Sequence, residues 1–279
     1  MKIGIADGKI WGNDHYLMLK SFGFDYYDFG MLNTDAPLYS LNDEEFDKYL
    51  TDQKALAEKA EVKIWQVHGP WRHPPKDVTV ENRAERLEKM KRSIKGAAVL
   101  GAKYWVVHPI MPYGVKDITT GETEKTHALN LEFMKELLET ARKENVIICL
   151  ENMPFTEFSL SSPTEIADFI YEINDPSFQM CLDTGHANVR EDWLTPADSI
   201  RKYSDIIKIL HVHDNMGRND QHLAPFHGTI DWKDFGKALN ETKFDGVISL
   251  ETAPNRNLPD DILKEMYVLY AKIAKAICK

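Results

Sequence analysis

The chain has 279 residues, of which 43% are hydrophobic and 28% charged, and its formal net charge is 34 − 44 = −10. Such a chain can bury a large core, and its charged fraction makes it neither disordered nor membrane-spanning. The acidic balance disfavours nucleic acid as a partner, because phosphate binding draws on Lys and Arg.

From the N-terminus, MKIGIADGKI lacks the apolar core of a signal peptide, and no later apolar run reaches transmembrane length. The three cysteines, Cys149, Cys181 and Cys278, are odd in number and form no CxxC pair. The expectation is therefore a cytoplasmic protein with no membrane partner and no disulfide framework. Short β-branched and aromatic runs then alternate with amphipathic ones. Strands are predicted at Lys2–Ala6, Phe24–Phe29, Val62–His68, Lys103–Pro109, Val146–Asn152, Phe178–Asp183, Ile207–His213 and Gly246–Thr252. The clearest helices are Val80–Leu100, Thr126–Glu144, Pro163–Ile173, Trp232–Glu241 and Asp260–Ile277. Ser162 before Pro163, and Asp231 before Trp232, read as helix N-caps. The acidic run Asn42–Asp47 reads as an exposed helix start. Eight strands, each followed by a helical segment, predict an α/β fold, a (β/α)₈ barrel spanning 1–279 as one domain.

A barrel of this kind puts its chemistry at the C-terminal ends of its strands. Strand three ends in His68 and strand four in His108. Strand five ends in Glu151, and strand six in Asp183 with His186 just after. Strand seven carries His211 and His213, and strand eight ends in Glu251. Alternation puts Ile148 and Leu150 on one face of strand five, with Cys149 and Glu151 on the other. The same rule turns His211 and Glu251 inward. Converging carboxylates repel one another and lose hydration, so they need a cation or raised pKa values, and a divalent metal relieves both problems. Carboxylates with one imidazole suit Mn²⁺, Mg²⁺ or Co²⁺, whereas a nitrogen-rich set favours Zn²⁺. Elsewhere the reading is structural. His15, His73 and His127 are taken as solvated, Cys149 and Cys181 as small core residues, and Trp65 and Trp105 as packing against the helix ring. Trp11 and Trp71 are candidates for an apolar wall of the site.

The stretches LENMP, CLDTGHAN, HVHDN, DQHLAPFHGTIDW and ISLET resemble the xylose isomerase-like TIM-barrel superfamily, in order and along essentially the whole chain. That superfamily holds sugar and sugar-phosphate isomerases and epimerases, and also the endonuclease IV repair enzymes. Resemblance to the ketose 3-epimerases implies Glu151, Asp183, His211 and Glu251 as ligands of one divalent metal, with Glu151 and Glu251 moving the proton. It implies Glu157 and His186 as substrate contacts, and Arg218 as the nearest match to a substrate-binding arginine. The expectation is an isomerase or epimerase of a small sugar or sugar phosphate, working by proton transfer through a metal-stabilised enediolate. One Mn²⁺, Mg²⁺, Co²⁺ or Zn²⁺ would serve, and a homo-oligomer is compatible with it. The alternative is a zinc phosphodiesterase acting at abasic DNA. Resemblance to endonuclease IV implies nine ligands to up to three Zn²⁺: His68, His108, Glu151, Asp183, His186, His211, Asp220, His222 and Glu251. NMPFTEF and DTGH differ from the repair enzymes at those places. Phe226 also stands where the sugar branch often has glycine.

Overall fold

The computed structural model describes residues 2–6, 10–31, 34–71 and 77–279. His73 lies outside them. Eight parallel strands close into a barrel in chain order: β1 (Lys2–Ile5), β2 (Tyr26–Gly30), β3 (Lys63–His68), β4 (Tyr104–Val107), β5 (Ile147–Glu151), β6 (Phe178–Asp183), β7 (Ile207–Val212) and β8 (Val247–Leu250). The helices of seven or more residues between and after them are α1 (His15–Phe22), α2 (Asp43–Lys59), α3 (Val80–Leu100), α4 (Thr123–Glu144), α5 (Pro163–Ile173), α6 (Pro196–Lys202), α7 (Trp232–Glu241) and α8 (Asp260–Ala276). The predicted strands are trimmed by a residue or more at most ends, and α4 begins three residues before its predicted start.

The local signals are realised as hydrogen bonds. Asn42 and Ser162 each form a reciprocal capping box with the glutamate three residues on, Glu45 and Glu165. The Asp231 side chain accepts from the Asp234 N–H. No helix among the described residues is long and apolar enough to cross a membrane.

Two apolar layers hold the barrel. The larger lies between strands and helices and includes Ile148, Leu150, Leu210, Val212 and Trp105, whose indole N–H donates to Ser93 Oγ on α3 at 2.9 Å. The smaller fills the barrel itself with Tyr104, Val106, Cys149, Cys181 and Ile209. This plug seals the interior below the strand ends, so the polar groups above it face the mouth. Both cysteines are core residues, as their sequence surroundings suggest. Trp65 departs from expectation. It packs on the interior cluster and edge-on to Tyr26. The register between β2 and β3 shifts at Tyr27/Asp28, pairing Tyr27 with Ile64 but Asp28 with Gln66. Trp65 is the extra residue of that bulge, which reverses its face. His15 also departs: it is buried between Tyr16 and Tyr27 rather than solvated. His127 lies at the surface beside Glu172.

A candidate metal centre at the barrel mouth

Register brings the strand ends together. Asp183 pairs with His211 across β6 and β7, and His211 pairs with Ser249 of β8. Glu151, Asp183, His211 and Glu251 then offer ligand atoms lying within 4.8 Å of one another. Glu151, Asp183 and His211 are fully buried, and the Glu251 side chain is 19% exposed. The His211 Nδ1 stands 3.0 Å from a carboxylate oxygen of Glu151 and 3.0 Å from one of Glu251. One N–H cannot serve two carboxylates as linear donor, and a cation shared by all four groups relieves that conflict. The donor set therefore fits a divalent metal.

Asp28 was not singled out from the sequence, yet it completes this group. It is buried on β2 and its Oδ2 lies 3.0 Å from His211 Nε2 and 2.6 Å from Gln66 Nε2. With the proton on Nε2 donated to Asp28, the His211 Nδ1 lone pair faces the acids, the tautomer a metal ligand requires. A charged residue inside the run FDYYDFG was the available signal.

A second convergence sits beside the first. His68 Nε2 lies 3.1 Å from His108 Nε2, and both lie near Glu151 Oε2, at 3.3 and 3.0 Å. His68 Nδ1 contacts the Gly69 carbonyl at 3.0 Å. The buried pair Asp77–Arg86 supports this edge, with Arg86 donating to the His108 carbonyl at 3.2 Å. Trp71 meets the His108 ring edge-on, which supports the apolar wall, whereas Trp11 packs with Phe22 and Tyr267.

The third convergence joins His186, His213, Asp220 and His222. His213 was noted in the sequence only as part of HVH. Its spacing of two from His211 puts both on one face of the strand, and that signal was missed. Glu157 stands apart from all three groups, half-buried and 3.5 Å from Lys116. Arg218 is exposed on the loop that carries Asp220. Phe226 lies further along that loop. The residue takes φ +71°, a left-handed conformation, while buried Asp214 accepts from the Gly228 N–H and the Trp232 indole at 2.9 and 2.8 Å.

The charges are strongly coupled. Burial pushes Glu151 up, but His211 and His108 outweigh it and hold the carboxyl well below its ordinary range. Glu251 is likewise held low against burial by His211. Burial pushes His211 down, yet Cys181, Glu251 and Glu151 hold it well above its usual value. His108 falls to about 4, mainly through burial. His186 reaches about 10 against burial, through Asp183 and Asp220.

The model of the family described as xylose isomerase-like TIM barrel matches residues 18–272. The chain belongs to that family. A D-psicose 3-epimerase of Ruminiclostridium cellulolyticum is 24% identical over 236 residues, covering 82% of this chain and 74% of the relative. A probable endonuclease 4 of Mycoplasmopsis agalactiae is 25% identical over 248 residues, 84% of each chain. A solved D-tagatose 3-epimerase-like protein superposes with TM-score 0.73 at 25% identity, over 99% of both chains. Relatives of this xylose isomerase-like barrel thus include sugar epimerases and an endonuclease 4.

Proposed function

We propose that the protein is a divalent-metal-dependent isomerase or epimerase of a small sugar or sugar phosphate. The observation that supports this best is the pair of glutamates, Glu151 at the end of β5 and Glu251 just past β8, sharing one histidine and one candidate metal position. Proton transfer at a carbon beside a carbonyl needs a base on one face and, for epimerisation, an acid on the other. Two carboxyl groups approaching from separate strands meet that need. Glu151, Asp183, His211 and Glu251 would hold the ion. Bound there, it would supply Lewis acidity to a carbonyl oxygen of the open-chain sugar.

The chain's own residues do the rest. Glu251, the more exposed of the two, is placed to take a proton from substrate entering at the mouth. Glu151, fully buried, is the candidate to return one, which requires it to carry a proton when substrate binds; in the empty site His211 and His108 oppose this by holding its carboxyl well below its ordinary range. Asp28 fixes the His211 ring. His68 and His108 are placed to bind substrate hydroxyls, and the buried interior plug keeps bulk water from below. Glu157 and Arg218, on loops above the mouth, are candidates to reach a longer or phosphorylated substrate. The likenesses to D-psicose 3-epimerase and to a D-tagatose 3-epimerase-like protein support a ketose as substrate.

A zinc phosphodiesterase is the second reading, favoured by one observation: all nine residue types expected of it, at His68, His108, Glu151, Asp183, His186, His211, Asp220, His222 and Glu251, fall within the three convergences. The experiment that separates the two readings incubates metal-loaded protein with ketoses and ketose phosphates in D₂O, and in parallel with a duplex carrying an abasic site. The sugar reading expects deuterium at the carbon beside the carbonyl and no incision. Incision without exchange reverses the assignment.

A further inference from the structure

The last helix, α8, carries two apolar faces. The inner one is ordinary: Leu263, Tyr267, Ala271 and Ala274 are buried against the barrel. The outer one runs along Ile262, Met266, Leu269, Ile273 and Ala276. Steps of four and three residues alternate along it, the spacing of a coiled-coil seam. Ile262 is 44% exposed and Leu269 46%. Met266 and Ile273 are half-buried, and among the described residues neither packs on the apolar core. Scattered apolar residues are normal on a surface. The longer helices show the usual case: α3, of 21 residues, exposes Val80 alone among large apolar side chains, and α4, of 22, exposes none. A line of them on the 17 residues of α8 is different.

The charges beside the seam carry the second observation. Glu265 and Lys272 stand immediately before Met266 and Ile273, on the same flank, and both are exposed. Among the described residues neither makes an ion pair. Asp261, also exposed, lies four residues before Glu265, a spacing at which like charges repel. The helix dipole alone favours acids early and lysines late. It does not account for an apolar seam with one acid and one lysine at the same heptad position.

Both features fit one partner. A two-fold axis across the seam reverses the helix direction and keeps the flank on its own side. Ile262 then faces Ile273 of the second copy, Met266 faces Leu269, and Glu265 meets Lys272, each contact occurring twice. A parallel pair puts Glu265 beside Tyr270 and Lys272 beside Ile277, with no opposite charge in reach. Ala276 ends the seam at a cleft of about 660 Å³, which Phe226, 52% exposed, and Trp232 also line. We propose that α8 docks a second copy of this chain, forming an antiparallel two-fold dimer along this seam. One helix face is small beside the ~800 Å² per partner of a standard interface, so pairing of micromolar strength is expected.

The test is sedimentation equilibrium of the full chain from about 1 to about 500 μM. Wild type should pass from 32.1 kDa towards twice that mass. Leu269→Lys, at an exposed position, should stay at the monomer mass with an unchanged circular dichroism spectrum. Glu265→Lys and Lys272→Glu each turn both bridges into repulsions and should weaken pairing by about tenfold or more. Mixed in equal amounts, these two variants regain opposite charges at both contacts and should pair as wild type does. A wild type still monomeric at about 500 μM, a dimer that survives Leu269→Lys, or charge variants that pair no better mixed than alone would overturn the proposal.

Discussion

Replacing Asp28 by Asn tests whether the candidate centre is built as a metal site or is only a cluster of acids. Asp28 Oδ2 receives both Gln66 Nε2 and His211 Nε2, at 2.6 and 3.0 Å. The asparagine oxygen can accept both contacts in the same place, so the shape is kept and only the charge is lost. A carboxylate behind a ligating imidazole raises its basicity, and losing such a partner costs about 10–100-fold in metal affinity. That factor equals about 1.4–2.7 kcal/mol. The same amount disappears from the stabilisation that saturating metal confers. For a chain of this length it lowers the metal-loaded Tm by about 3–5 °C, at roughly 2 °C per kcal/mol. The assays are competition with a chromophoric chelator for Mn²⁺ or Zn²⁺, and thermal melts with metal and with chelator. Affinity and metal-loaded Tm should fall together, and the gap between loaded and chelated melts should narrow. Unchanged affinity in a folded variant, or an equal Tm loss with and without metal, refutes the reasoning.

Three further outcomes follow from separate parts of the structure. Gly69→Ala puts a Cβ 2.3 Å from Trp105 Cζ2 and should cost about 1–3 kcal/mol by urea unfolding, equally with metal and with chelator; a neutral result means the loop yields freely. Burial lowers His15 from 6.5 to about 4, so below pH 6.5 the unfolded chain binds a proton that the folded chain refuses. Stability should therefore fall by about 1–3 kcal/mol from pH 6.5 to 4 through this group, and His15→Phe should remove that part of the slope; an unchanged slope in the variant contradicts it. Glu251→Gln removes a base and weakens a ligand, so turnover on an active ketose should fall by about 10²–10⁴-fold or more even at saturating metal; a loss recovered fully by excess metal would reduce Glu251 to a ligand alone.

The barrel and the inward carboxylates were legible because both depend on local periodicity. Strand alternation put Glu151 opposite Ile148 and Leu150, and the structure keeps that division between interior and helix layer. Trp65 was not legible, because a bulge between β2 and β3 depends on how two strands pair, which neither strand records alone; Asp28 showed only as a charge inside FDYYDFG, with nothing to say which partners it meets. His15 was misjudged since burial in α1 depends on Tyr27 of another element. Gly185 leaves room for His213, whose Cε1 would stand 2.0 Å from a Cβ there, and that allowance rests on a contact that exists only once β6 and β7 are side by side. Glu157 and Arg218, inferred from resemblance, lie on loops whose placement strand spacing does not fix.

The central claim is that Glu151 and Glu251 exchange a proton with a sugar carbon at a metal held between them. Its most direct measurement is proton NMR of ketoses and ketose phosphates incubated in D₂O with Mn²⁺-loaded protein. The account predicts loss of the signal from the hydrogen beside the carbonyl, abolished in Glu251→Gln and by chelator. Retention of that hydrogen across the panel, alongside metal-dependent cleavage of abasic DNA by the same preparation, would contradict it.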